Sequence, residues 1–205
     1  MCSAMWALDT RVVINTGHTQ SINEITYHRE FDLLFSCSDD GTVRVWNPPT
    51  EKLVYLLNIS HNPIKKIAVD PKQPHIAVVE NLKVDSYQLS VWNWKTHEKI
   101  FSKELDELPL YLDYSPKGSF IAYSVTGWNS LTFLDAKNGE KLPYIDRGFG
   151  IVSAFIISPS EKTIMTYNPS GNIQYWDIKG GYRKQRIETV ADLAHISFTS
   201  NLRFM

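Results

Sequence analysis

The sequence repeats itself along its whole length, and this constrains the possible folds more than any other feature. An aromatic residue closes an alternating apolar run at Trp6, Trp46, Trp92, Phe133 and Trp176. The intervals between these residues are 40, 46, 41 and 43 positions. A fixed period of this length indicates a repeat architecture in which each copy is one supersecondary unit.

A second marker recurs in phase with the first. Each period contains another apolar run that ends in a turn, at Arg29, Pro71, Pro116, Pro159 and Ser200. These positions are separated by 42, 45, 43 and 41 residues. Because both markers keep the same phase, we treat the repeat as the basis of the fold prediction.

Each period predicts four short β-strands. The first strand, such as residues 22–27, ends at a turn that often contains Pro, which cannot continue a central strand. The aromatic marker closes the third strand, and a polar turn leads to the fourth. No convincing amphipathic helix of about 10 residues or more is present. We therefore expect an all-β fold, a β-propeller of four-stranded antiparallel blades.

The composition is that of an ordinary globular protein. The chain is 43% hydrophobic and 21% charged, and its formal net charge of −1 gives no global field for nucleic acid or an anionic membrane. No apolar run approaches the roughly 18 residues that span a bilayer. Only Cys2 and Cys37 are present, which favours a reducing, cytoplasmic setting and predicts that Cys37 is a buried apolar residue.

The stretch SCSDDGTVRVWN, residues 36–47, together with Gly17-His18, resembles the repeat signature of the WD-repeat β-propeller family. The resemblance implies a structural tetrad of hydrogen-bonded side chains, which are His18, Ser36, Asp40 and Trp46 in this sequence. Ser38 lies on the same strand face as Ser36 and is an alternative to it. A satisfied buried network of this kind makes a fold rigid, whereas a partly satisfied one is costly.

The other repeats depart from that signature. The second keeps His61 and Trp92, but its turn is longer. The third has Phe133 in place of Trp, and the fourth keeps Trp176 but has Ser170 in place of Asp. We expect these blades to depend mainly on packing.

The period divides residues 1–205, taken as one domain, into four complete repeats at about 17–60, 61–106, 107–148 and 149–190. Partial blades are expected at 1–16 and 191–205. Two arrangements are open: the termini complete a fifth blade and close the ring, or the chain is part of a longer protein, since the resemblance implies seven blades. The end at Phe204-Met205, within an apolar strand, favours the second arrangement.

The sequence predicts no enzyme active site, cofactor or metal. Asp39 and Asp40 are adjacent on a turn and should point to different sides, which does not suit an acid–base pair. The six His show no metal-ligand spacing, and no phosphate-binding glycine loop occurs. The basic run at 179–186 is interpreted as a solvated turn and strand edge rather than a nucleic-acid site.

The predicted function is therefore a protein-interaction scaffold that docks a partner protein or another domain of its own chain. Large aromatics beside Gly in polar loops suit interface anchors. The predicted partner-binding residues are Trp128, Asn129, Arg147 and Phe149. Trp94 is expected to pack on its own turn. The alternatives are a small-molecule or metal-dependent hydrolase with carboxylates at the channel mouth, or a sensor domain of a longer protein.

Overall fold

The computed structural model of the 205-residue chain describes residues 17–127, 131–144 and 150–188. Within these residues the regular structure is fifteen β-strands and one short 3₁₀ helix, Pro48–Thr50. The first sheet consists of β1 (Ile22–His28), β2 (Leu33–Ser38), β3 (Thr42–Asn47) and β4 (Lys52–Asn58). The second consists of β5 (Ile64–Val69), β6 (His75–Lys83), β7 (Ser86–Asn93) and β8 (Glu98–Leu105). The third consists of β9 (Tyr111–Tyr114), β10 (Phe120–Ser124) and β11 (Leu131–Asp135), and the fourth of β12 (Ala154–Ile157), β13 (Thr163–Asn168), β14 (Asn172–Asp177) and β15 (Tyr182–Glu188).

All strand pairs within these sheets are antiparallel, and each sheet follows the chain order. The prediction of an all-β fold made of antiparallel sheets is thereby confirmed. Each sheet falls inside one of the four predicted repeats. Ring closure and the number of blades remain predictions.

The third sheet has three strands among the described residues, where the sequence predicted four. After β11 the chain forms a single bridge, between Leu134 and Lys141. Pro143 follows and has no N–H to donate to a strand ladder. The ring of Tyr144 then packs edge-on against Phe120 and Phe133, with centroid distances of 5.7 and 5.5 Å. The chain still runs beside β11 as far as Leu142, whose N–H donates to the Phe133 carbonyl at 2.9 Å, and residues 145–149 lie outside the described residues.

The turn between β2 and β3 shows why the first repeat carries Asp-Asp-Gly. Gly41 has a φ of +76°, a region that residues with a Cβ rarely adopt. A Cβ at this position would also lie 2.1 Å from the carbonyl oxygen of Ser60. The close approach of the two backbone segments allows a hydrogen bond, in which the N–H of Ile59 donates to the Gly41 carbonyl at 3.1 Å. A side chain here would separate the turn from the connection to the second sheet.

The first strands of successive sheets lie side by side, β1 against β5 and β5 against β9. Side chains of β1 bond to the free backbone edge of β5. Asn23 Nδ2 donates to the Ile64 carbonyl at 2.7 Å, and the Glu24 carboxylate accepts from the Ile67 N–H at 2.7 Å. An uncovered strand edge is otherwise a site of aggregation, so these bonds both join the sheets and satisfy the edge.

Apolar side chains fill the spaces between adjacent sheets. One buried cluster joins the first and second sheets, another the second and third, and another the third and fourth. Cys37, predicted to be buried, is fully buried in the first of these clusters. Burial raises the pKa of its thiol to about 12, so it acts as a small apolar residue.

Trp94 anchors the space between the first and second sheets. It follows β7 in the second sheet, and its side chain is only 1% exposed. Its ring makes edge-on contacts with Phe31, Phe35 and Tyr55 of the first sheet, at centroid distances of 5.4, 5.5 and 5.2 Å. The expectation that Trp94 packs on its own turn is wrong, because these aromatic partners lie in the neighbouring repeat.

Replacing Trp94 with Ala should lower the free energy of unfolding by about 3–5 kcal/mol, since it removes a large buried side chain and leaves a cavity between two sheets. Urea-induced unfolding followed by circular dichroism measures the change. Tyr182→Ala, at a side chain 56% exposed, is the control and should change stability by no more than about 0.5 kcal/mol. Equal effects of the two substitutions would contradict the anchoring role.

Candidate functional site

The structure brings His18, Ser36, Asp40 and Trp46 together on one face of the first sheet. His18 Nδ1 lies 3.0 Å from Asp40 Oδ2, and His18 Nε2 lies 2.8 Å from Ser36 Oγ. Trp46 Nε1 donates to the same Ser36 oxygen at 2.9 Å. A neutral imidazole that donates from Nδ1 to the carboxylate can accept at Nε2 from the Ser36 hydroxyl, so every polar atom in the chain of bonds has a partner.

Both oxygens of the Asp40 carboxylate accept hydrogen bonds, from its own turn and from the segment that carries His18. It accepts from the backbone N–H groups of Thr19 and Thr42, each at 3.0 Å, and from the Thr42 hydroxyl at 2.6 Å. Burial alone would raise the pKa of Asp40, but the bonds from Thr42, Thr19 and His18 outweigh it and hold the pKa well below its usual range. A carboxylate that is bonded and ionised in this way is suited to holding a turn and unsuited to accepting a proton from a substrate.

The neighbouring residues have separate roles. Asp39 accepts from Lys65 Nζ of the second sheet at 2.6 Å and from Asn23 Nδ2 of the first sheet at 2.7 Å. The hydrogen bond from Lys65 holds the pKa of Asp39 below its usual value. Ser38 Oγ accepts from the N–H of Asp40 at 3.1 Å, so Ser36 rather than Ser38 meets the histidine. Asp39 and Asp40 therefore point to different partners, as expected for adjacent turn residues.

Two other sheets retain the tryptophan with a different set of partners. In the fourth sheet Trp176 Nε1 donates to Thr166 Oγ1 at 3.2 Å. In the second sheet Trp92 Nε1 donates to Ser90 Oγ on its own strand at 2.8 Å, and Ser90 Oγ lies 3.4 Å from Glu80 Oε1. Sequence reasoning missed these hydroxyls. The sequence could have predicted the role of Thr166, because Thr166 precedes Trp176 by ten positions, as Ser36 precedes Trp46.

His61, predicted to be the equivalent of His18, is exposed and takes no part in a network with Trp92.

The alignment of the third repeat was wrong by one position. In the other sheets the tryptophan lies opposite an aliphatic residue of the second strand: Trp46 opposite Leu34, Trp92 opposite Ile76 and Trp176 opposite Ile164. In the third sheet the residue opposite Ile121 is Leu134, not Phe133. Leu134 has no donor, so this sheet has no counterpart of the tryptophan hydrogen bond. Phe133 faces the fourth sheet instead.

A long β-hairpin in the second sheet presents apolar side chains to solvent. Its strands β6 and β7 have 9 and 8 residues, against 6 in each of β2 and β3. The two-residue turn Val84-Asp85 joins them, with Asp85 at a φ of 53°. Val84 is 87% exposed and Leu82 is 37% exposed. We call residues 82–86 the hairpin tip.

The predicted partner-binding residues Trp128, Asn129, Arg147 and Phe149 lie outside the described residues. Their role stays a prediction. The hairpin tip is a second-to-third strand loop of the same kind as the one that contains Trp128, and its exposed apolar residues are described by the structure.

Glu24 on β1 is a carboxylate whose pKa is raised by burial. It accepts from the Ile67 N–H, and Lys66 Nζ lies 3.9 Å from it. Asp113 on β9 is exposed to solvent. Among the residues that the structure describes, no three metal-ligating side chains converge, and no helix is long and apolar enough to cross a membrane.

Comparison with known proteins places this geometry in a family. Residues 6–205 match the family model TP_0598_N, described as an N-terminal β-propeller domain. The chain belongs to this family. Its similarity to a crystal structure of the Cps50 (Swd1) β-propeller domain of Myceliophteria thermophila, at 11% identity and a TM-score of 0.71, covers 92% of the chain and 62% of that domain and shows the same fold.

Two curated relatives share about a quarter of the aligned residues with this chain. An uncharacterized protein of Treponema pallidum (strain Nichols) is 26% identical over 159 aligned residues, and the match covers 78% of the chain and 26% of the relative. Eukaryotic translation initiation factor 3 subunit I of Drosophila mojavensis is 25% identical over 181 aligned residues, and the match covers 82% of the chain and 54% of the subunit. The chain thus spans about a quarter of the first relative and about half of the second.

Replacing Asp40 with Ala should lower the free energy of unfolding at pH 7 by about 1–3 kcal/mol, because it leaves buried donors of His18 and Thr42 without an acceptor. The folded-state pKa of Asp40 lies below its unfolded value, so this stabilisation is complete above about pH 4 and is lost as the pH falls toward the folded pKa. The difference in the free energy of unfolding between wild type and Asp40→Ala should therefore become smaller as the pH falls. Urea titrations at a series of pH values measure it.

Asp106→Ala, at an exposed carboxylate, is the matched control and should have little effect at any pH. A difference between wild type and Asp40→Ala that stays constant down to about pH 2 would contradict the assigned role of the ionised carboxylate.

Proposed function

We propose that this chain is a non-catalytic docking module of the WD-repeat type that binds a partner protein through loops on one face of the propeller. The hairpin tip carries this proposal. Val84 is 87% exposed at the end of a hairpin that rests on a buried sheet. Binding residues are often carried on loops that a rigid scaffold positions, and exposed apolar groups in such loops are suited to an interface.

The rigidity of the supporting sheet favours this use. The second sheet is packed on both faces, against the first sheet through the cluster around Trp94 and against the third through a separate cluster. Burial of Val84 and Leu82 by a partner would remove apolar surface from water with little ordering of the backbone, since β6 and β7 are already paired out to Lys83 and Ser86.

The first repeat supports assignment to the WD-repeat type. Its His18, Ser36, Asp40 and Trp46 are joined as the resemblance implies, and we propose that they are a structural tetrad rather than a reactive site. One similar protein is named as a subunit of eukaryotic translation initiation factor 3, which supports a role within a protein assembly. The much longer Treponema pallidum relative supports the related possibility that the partner is another domain of the same chain.

We also propose a cytoplasmic location, on the basis of the reduced, buried Cys37 and the absence of a membrane-spanning helix among the described residues. No observation in the described residues favours the hydrolase alternative.

Replacing Val84 with Asp should reduce the recovery of a specific partner by about tenfold or more, because it places a charge in the centre of the contact. The tagged chain is incubated with extract of its native cells, and recovered proteins are quantified by mass spectrometry. Val54→Asp, at a β4 side chain 44% exposed, is the matched control and should leave recovery unchanged.

A photo-crosslinking residue at position 84 should label the same partner, and the same residue at position 54 should not. Circular dichroism of each variant verifies that the fold persists. Partner recovery that is unaffected by Val84→Asp would remove the hairpin tip from the interface.

A further inference from the structure

A groove on another part of the surface, between the third and fourth sheets, is lined by three lysines and two carboxylates. Its volume is about 580 Å³, and we call it the lysine groove, after Lys117, Lys162 and Lys179 on its rim. Phe120 and Tyr144 also line it. This volume lies within the range of clefts that bind small ligands or short peptide segments.

The two carboxylates in the lysine groove are already committed to internal bonds. Glu161 accepts from the Lys117 N–H at 2.8 Å and from the Ser119 hydroxyl at 2.6 Å, which joins the third and fourth sheets. Asp177 accepts from the Gly180 N–H at 2.7 Å and pairs with Lys184 Nζ at 2.9 Å. The charge of Lys117 acts on Glu161, but neither carboxylate forms an ion pair with Lys162 or Lys179.

These internal bonds keep both carboxylates ionised. Burial alone would raise the pKa of Glu161, but the hydrogen bonds from Ser115, Ser119 and Lys117 outweigh it and lower the pKa below its usual value. The N–H of Gly180 and the ammonium of Lys184 lower the pKa of Asp177.

The three lysines on the rim differ in the contacts that their ammonium groups make. Lys117 Nζ has one long contact, to the Ser160 carbonyl at 3.4 Å. The side chains of Lys162 and Lys179 are exposed and form no ion pair with the part of the chain that the structure describes. Two ammonium groups thus flank the cleft without an ion-pair partner among the described residues.

We propose that the lysine groove binds an acidic peptide segment of a partner protein. Carboxylates of the segment pair with Lys162 and Lys179, and an apolar residue between them lies against the partly exposed Tyr144. Charge complementarity of this kind gives specificity and speeds association more than it adds affinity. The inference rests on the proposed docking function and adds a second contact, distinct from the hairpin tip.

The floor of the groove favours a peptide over a nucleic acid. Phe120 is 2% exposed, and the ring of Tyr144 is packed edge-on against Phe120 and Phe133. A nucleic-acid site for single strands needs exposed aromatic faces on which bases stack. The exposed ring of Tyr182 already has a cation over one face, since Lys184 Nζ lies 6.0 Å from the ring centroid.

Fluorescence anisotropy with the full chain tests the proposal. The probes are a labelled peptide of alternating Glu and Leu, the same peptide with Gln for Glu, and a labelled oligouridylate of similar length. Wild type should bind the Glu peptide in a salt-dependent manner and should not bind the Gln peptide. The double variant Lys162→Glu/Lys179→Glu should weaken binding of the Glu peptide by about tenfold or more.

Lys52→Glu/Lys103→Glu makes the same change in net charge away from the groove and should leave the affinity within about twofold of wild type. Lys162→Ala/Lys179→Ala tests the same contacts without charge reversal, and circular dichroism verifies the fold. The proposal is overturned if wild type shows no saturable binding of the Glu peptide, if both charge-reversal variants weaken it equally, or if the oligouridylate binds more tightly through the same lysines.

The failures of the two proposals are distinguishable. Val84→Asp should leave affinity for the Glu peptide unchanged, because the hairpin tip lies outside the groove. If a partner is captured through the hairpin tip and Lys162→Glu/Lys179→Glu has no effect on peptide binding, the groove is excluded and the docking function stands.

Discussion

The fold depends on side chains that join sheets, because no backbone ladder connects one described sheet to the next. The free edge of β5 is bonded by Asn23 and Glu24 of the first sheet, and Trp94 of the second sheet inserts among aromatic rings of the first. The first sheet thus supplies hydrogen-bond partners to the edge of the second, and the second supplies a buried aromatic ring to the first. The same dependence explains the exposed face of β1. Ile25 is 62% exposed, whereas Ile67, at the matching register on β5, is 3% exposed beneath the first sheet.

The hydrogen-bonded network of the first sheet shows how a motif with reactive residue types can serve structure alone. Asp40 and His18 would suit acid–base chemistry in an open site. Here the carboxylate is bonded by Thr19 and Thr42, and both imidazole nitrogens face protein partners. The exposed side chains on which the two proposals rest lie elsewhere, at the hairpin tip and on the rim of the lysine groove. The proposed functions follow from that division between satisfied and unsatisfied groups.

The sequence predicted the sheets well because the repeat records the strand pattern directly, with turns and aromatic residues in phase. The resemblance of residues 17–18 and 36–47 to the WD-repeat signature named the four residues of the first-sheet network, whose role as a structural tetrad stays a proposal. The sequence prediction misplaced the third repeat by one position, since Phe133 and Leu134 are adjacent apolar residues and only the pairing of Leu134 with Ile121 decides between them. The sequence did not predict the contacts between sheets, because the partners of Trp94 and of Glu161 lie in a neighbouring repeat and no local pattern marks them.

The central claim is that side chains, rather than backbone ladders, make neighbouring sheets depend on one another. Hydrogen–deuterium exchange of wild type and Trp94→Ala, followed by mass spectrometry, tests it most directly. The account predicts faster exchange in β2 and β4 of the first sheet as well as around position 94, because Phe35 and Tyr55 lose their shared contact. Faster exchange confined to β7 and β8 of the second sheet, with the first sheet unchanged, would contradict it.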